Sequence, residues 1–233
     1  MKKFLAIVSI ICFFTACGYK KGSGVTVTQN RNTDNFTGVS VGGNFDVEIK
    51  TGSDTKVRIE ADDNVIDDIE TRVENNQLKI SMKNGMSYNN VHMKVFITAP
   101  KINKISSSAS ADVNVIDALA SDEKIIINAS SGSSVKAAVN APGTEADASS
   151  GAEIDLTGRT QKFDVEVSSG ASVDAYELLS ENTKVQTSSG ATAQVHASIQ
   201  LDASASSGGS VSYRGAAALI KKQSSGGTVE KKN

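Results

Sequence analysis

The chain has 233 residues, 39% of them hydrophobic and 5% aromatic, no Trp, and a formal net charge of −2 at pH 7. That length admits one or two domains, and the absence of a basic patch excludes nucleic acid as a partner class. Abundant small residues with few aromatics suit a slim repetitive body better than a bulky globular core.

Lys2 and Lys3 give a basic start, and Phe4 to Thr15 is an apolar run too short and too early for a spanning helix. Phe14-Thr15-Ala16-Cys17-Gly18 follows, a pattern that resembles a bacterial lipobox, with Phe14 where Leu is usual. Residues 1–17 are therefore expected to be a lipoprotein signal peptide with its lipobox, and Cys17 to be acylated, attaching the chain to a membrane without spanning it. The competing reading is an ordinary secretory signal with an incidental cysteine. Cys12 leaves with the leader, so no disulfide forms within the mature chain. Residues 18–35 are rich in Gly, Ser, Thr, Asn and Lys and are expected to be a flexible tether.

Residues 36–100 read as an N-terminal β region. Phe45, Val47 and Ile49 alternate with charged residues, as do Val57 and Ile59; Leu78, Ile80 and Met82 alternate with Lys79, Ser81 and Lys83; Val91, Met93, Val95 and Ile97 alternate with His92, Lys94 and Phe96. A short helix is expected near 64–69, where apolar residues at 65, 66 and 69 follow a capping Asp/Asn cluster. Asn75-Asn76 and Asn84-Gly85 mark turns.

Residues 101–231 are a repeat. Ser-Ser-Gly occurs at 130–132, 149–151, 168–170, 188–190, 206–208 and 224–226, after a degenerate Ser108-Ala109-Ser110, with steps of 22, 19, 19, 20, 18 and 18 residues. A period near 20 is a solenoid signature. Three places after each triplet stand Val113, Val135, Ile154, Val173, Ala193, Val211 and Val229, with polar residues next to them. Five places before each triplet's last residue stand Ile105, Ile127, Ala146, Val165, Val185, Ala203 and Lys221. Each copy thus carries two half-buried strands joined at a corner, where Gly132, Gly151, Gly170, Gly190, Gly208 and Gly226 supply positive φ. Stacked coils, with strands about 4.8 Å apart, predict an all-β parallel β-helix with coils of about 18–22 residues, about seven in number. An antiparallel sandwich would need hairpin signals inside the repeat, and none is present. Lys221 and Lys231 break the apolar columns, so the last coil should fray or cap the stack.

The order of the lipobox, Phe45-Asp46-Val47-Glu48-Ile49, Val57-Arg58-Ile59-Glu60-Ala61-Asp62-Asp63-Asn64, Leu78-Lys79-Ile80 and the serial Ser-Ser-Gly coils resembles the family of putative auto-transporter adhesins with a head GIN domain, found among Bacteroidetes lipoproteins. The likeness spans about residues 36–229. It implies a right-handed β-helix shaped like pectate lyases without their catalytic residues, and an adhesive role. No barrel pattern follows Val229, so the resemblance concerns the head alone.

Candidate sites are sparse. Ser-x-x-Lys occurs at Ser53/Lys56, Ser121/Lys124 and Ser133/Lys136, on strands or turns rather than the helix that chemistry needs. His92 and His196 each alternate with inward neighbours and read as surface histidines. Glu60, Asp62, Asp63, Asp67, Asp68 and Glu70 read as a solvated acidic face rather than a calcium loop. Asp155 and Asp174 share an outward column in successive coils and are a candidate surface ligand pair for a cation or sugar. No catalytic residue and no cofactor is expected. The chain reads as a non-enzymatic, lipid-anchored protein of the cell envelope, an outer-membrane lipoprotein that binds glycan or protein. The alternatives are a pectate-lyase-like carbohydrate-active enzyme, or a structural envelope protein.

Overall fold

The computed structural model describes residues 18–83 and 86–232; the leader, Cys17 and the Asn84-Gly85 turn lie outside the described residues. The body is a β-solenoid of about six turns, 64% strand. Its parallel strands form three walls. Strands leading into the triplet make the first wall, strands leaving it make the second, and a short strip closing each coil makes the third.

The inward columns are those the sequence marks. On the first wall Leu78, Val39, Ile105, Ile127, Ala146, Val165, Val185 and Ala203 stack in register. On the second wall Val95, Val47, Val113, Val135, Ile154, Val173, Ala193, Val211 and Val229 do the same. All are buried in one continuous core. Alternation with period two places every second side chain on the core face, so backbone pairing and apolar burial reinforce each other in each coil.

The corners are stacked too. In Ser131-Gly132 the two residues have φ of 54° and 69°, and each later Ser-Ser-Gly copy repeats this pair of positive values. Two positive φ values in succession are the mark of a type I′ turn. The turn closes from Ala152 N to Ser149 O at 3.2 Å, and Gly151 N donates to Ser169 O of the next coil at 3.1 Å. Ala109 and Ser110 hold the same conformation without glycine, at 54° and 65°.

Two coils depart from the expected pair of short strands. Ser134–Ala148 and Glu153–Val167 are single strands of 15 residues that bend across all three walls and pair along nearly their whole length. Their ladder skips Pro142, which has no N–H to give.

The first half of the body joins the same sheet, in an order the chain sequence does not suggest. Gly38–Gly42 lies between Gln77–Met82 and Lys104–Ser108; Asp46–Thr51 lies between Met93–Ala99 and Asp112–Val115. The chain builds one coil, goes outward to cap it, and returns past Pro100 to stack on its other side. The cap is antiparallel: Lys56–Asp62 pairs with Met93–Ala99, and Ile69–Glu74 pairs with Gln77–Met82 through Asn75-Asn76. Between them the expected short helix is a single 3₁₀ turn, Ile66–Asp68.

Residues 18–35 correct the tether expectation. Gly18–Lys21 pairs with Met86–Asn89, and Thr26–Arg31 pairs antiparallel with Lys56–Asp62. The composition argument fails here because an edge strand is held by its backbone, which needs no apolar face. The side chains of Thr26–Arg31 stay largely exposed while their ladder is complete. At the opposite end Ala218–Gln223 pairs with Gln200–Ala205, yet all six of its residues are exposed, because no further coil among the described residues covers them. Lys221 and Lys231 stand in the inward columns there and blunt that edge.

Candidate functional site

The outward face of the first wall carries a continuous row of polar side chains. In register lie Ser40, Ser106, Asn128, Asp147, Glu166, Gln186 and Ser204, one per coil and about 4.8 Å apart. Beside them run the first serines of the triplets, Ser130, Ser149, Ser168, Ser188 and Ser206, and the two rows line a trough of about 520 Å³. The strands are rigid on both sides, so side-chain spacing along the trough is set by the backbone rather than by loops.

Its centre is acidic. Glu145, Asp147, Asp164 and Glu166 crowd two adjacent coils around a cleft of about 350 Å³. Glu145 is paired with Lys124 at 2.7 Å, and Glu166 accepts from Gln186 Nε2 at 3.2 Å. Among the described residues, Asp147 has neither kind of partner. Burial, and then the charges of Glu145 and Glu166, push its carboxyl above the ordinary carboxylate range, against the pull of Lys124. Asn128 Oδ1 is shielded from solvent without a hydrogen-bond partner. The trough thus presents hydroxyls, amides and carboxylates in a row, a surface that exchanges hydrogen bonds with a hydroxyl-rich ligand and repels an anionic one.

The raised Asp147 has a stability consequence. Between its ordinary and its raised value, the native chain keeps a proton that the unfolded chain has lost, so this group lowers stability as pH rises through that window. Asp147→Asn is expected to raise the urea midpoint at about pH 7 and to leave it unchanged at about pH 3, where both side chains are neutral. Equal shifts at the two pH values would remove the carboxylate charge as the cause.

The candidates marked in the sequence fall elsewhere. Asp155 and Asp174 are register neighbours on the second wall. Asp155 is paired with Lys136 at 2.7 Å, and Asp174 Oδ1 accepts from Tyr176 N at 3.2 Å, so each is already engaged. The six corner glycines have φ between 69° and 76° and line one edge of the solenoid. The lysines of the three Ser-x-x-Lys matches pair with Asp54, Glu145 and Asp155 rather than with serine. The acidic cluster at residues 60–70 fastens the cap: Asp68 pairs with Lys20, Asp63 accepts from Ser23, and buried Asp62 accepts from the backbone N–H groups of Gly24 and His92, each at 2.6 Å. Among the described residues, no group of three His, Cys, Asp or Glu could hold a metal ion. The trough column was visible in the sequence as the polar position four places before each triplet's last residue, but nothing local separates it from the second wall's polar column.

Comparison with solved structures finds the same fold in a putative adhesin from Bacteroides fragilis, 20% identical, with a TM-score of 0.83 over 91% of this chain and all of that one. A second, from Parabacteroides merdae, is 18% identical with a TM-score of 0.74 over 93% and 100% of the two chains. A third, a putative lipid binding protein from Parabacteroides distasonis, is 16% identical with a TM-score of 0.74 over 92% and 100%. The comparison with curated proteins finds no match. The family model described as "putative auto-transporter adhesin, head GIN domain" matches residues 35–217, and the chain belongs to that family.

Proposed function

We propose that this chain is a cell-envelope adhesin, anchored by a lipid on Cys17, whose first-wall trough binds neutral glycan chains without cleaving them. The family supports an envelope or surface location. The observation that carries the ligand class is the unbroken register from Ser40 to Ser204, which sets hydroxyl, amide and carboxylate groups at one spacing along a straight face. Contacts of this kind are individually weak and add along a chain that occupies several coils at once.

A hydrolytic reading has one observation in its favour: Asp147, with its raised carboxyl, is the register neighbour of Glu166 on the next coil, and glycosidases work with a pair of carboxyl groups. Against it, both carboxylates project from one flat wall, whereas that chemistry needs them on opposite sides of the scissile bond. The test is a neutral-glycan array probed with the full chain in detergent, together with an assay for released reducing ends. Binding without release is expected. Asn128→Ala combined with Gln186→Ala should weaken it about tenfold or more, and Asp174→Ala on the second wall should not. Release of sugar would replace the adhesive reading with the hydrolytic one, and unchanged binding in the double variant would remove the trough from it.

A further inference from the structure

The third wall carries a separate groove of about 840 Å³, formed where successive coils turn between the second and first walls. Arg159 lies in it, exposed, with Asn140 and Leu179 as its register neighbours on the coils either side. The other four arginines are engaged. Arg31 donates to the carbonyls of Ile66 and Ile69, and Arg58 pairs with Glu60 and lies over the Phe96 ring. Arg72 pairs with Glu70 and Glu74, and Arg214 with Glu177 and the Tyr176 ring. Among the described residues, Arg159 alone of the arginines has no ion-pair, hydrogen-bond or ring partner.

A free guanidinium in a concave site presents a planar fork of donors that matches a carboxylate. The amides of Asn140 and Gln161 line the same groove, and Leu179, 45% exposed, offers an apolar surface beside them. That combination suits a pyranose ring: polar groups for its hydroxyls, an aliphatic patch for its C–H face, and a cation for an acidic substituent. Asp122 and Glu181 also line the groove; they can accept from hydroxyls and would repel a carboxylate placed anywhere but at Arg159. The backbone is not available to a peptide strand here. Ser121 N donates to Asn140 O, Ser198 N to Ser180 O and Ile199 N to Glu181 O, at 2.8–3.1 Å, which closes the wall coil to coil.

We infer that the third-wall groove binds saccharides that carry a carboxylate, with Arg159 pairing the acid, Asn140 and Gln161 bonding ring hydroxyls, and Leu179 packing on the ring. The site is distinct from the acidic first-wall trough, which disfavours such ligands, so either can fail alone. The test is calorimetric titration of the full chain in detergent micelles with oligogalacturonate, with neutral oligogalactose and with poly-glutamate. Oligogalacturonate should bind about tenfold or more tighter than oligogalactose. Arg159→Gln should abolish that preference, Arg159→Lys should keep part of it, and Asp147→Asn should leave it intact. Because Arg159 is exposed and unpaired, both Arg159 variants are expected to keep the far-UV circular dichroism of the unaltered chain. No preference in the unaltered chain, an undiminished preference in Arg159→Gln, or equal binding of poly-glutamate would each overturn the assignment.

Discussion

Gly158→Ala is expected to destabilise the solenoid by about 4 kcal/mol. Gly158 sits in the middle of Glu153–Val167, where that strand passes from the second wall to the third, with φ of 109°. A Cβ built there would stand 2.1 Å from Val139 O, on a backbone fixed by its own ladder. Two costs therefore add: a φ that L-residues avoid, and a clash no side-chain rotation relieves. Gly170→Ala is the control. It also has positive φ, 70°, but nothing lies within 4 Å of its Cβ position. Ser110 already occupies the equivalent corner at 65°. That substitution should cost only about 1 kcal/mol. Urea denaturation of the two variants checks the contrast, and similar losses would mean that conformation rather than close approach sets the cost.

Asp62→Ala should cost about 3 kcal/mol and release the N-terminal segment before the body unfolds. Asp62 is 2% exposed, and its two carboxylate oxygens accept from Gly24 N and His92 N, each at 2.6 Å. Truncation removes two short hydrogen bonds to a carboxylate at once, and bonds of that kind are each worth more than an ordinary neutral one. Gly24 leads directly into Thr26–Arg31, whose side chains are largely exposed and which is held by its backbone ladder and, at its far end, by Arg31. Hydrogen exchange should therefore accelerate first across Thr26–Arg31, with the ladders of Ser134–Ala148 and Glu153–Val167 unchanged. Uniform acceleration through the coils would show instead that the cap and the solenoid unfold as one unit.

Much of the architecture is written in short stretches. Val135 beside Lys136, or Val173 beside Asp174, states which face of a strand is wet, because the side-chain period of a strand is two whatever lies next to it. Ser-Ser-Gly states the corner, because positive φ is a property of the residues that adopt it. These local facts repeat every 18–22 residues, and stacking follows from them.

Other features were decided only by distant parts of the chain meeting. Thr26–Arg31 looks unable to pack, yet it is held by N–H and C=O groups that every sequence carries alike, so its residues give no sign of the partner. The placement of Gly38–Gly42 between Gln77–Met82 and Lys104–Ser108 has the same cause. The acids divide likewise. Asp155 and Asp147 look equivalent along the chain, but a coil neighbour supplies Lys136 to one, while the other meets Glu166. Local alternation and turn preference thus determined the coil, while tertiary pairing decided the order of the first coils and which carboxylates remain free, since charge balance on each wall is set by residues about twenty positions apart.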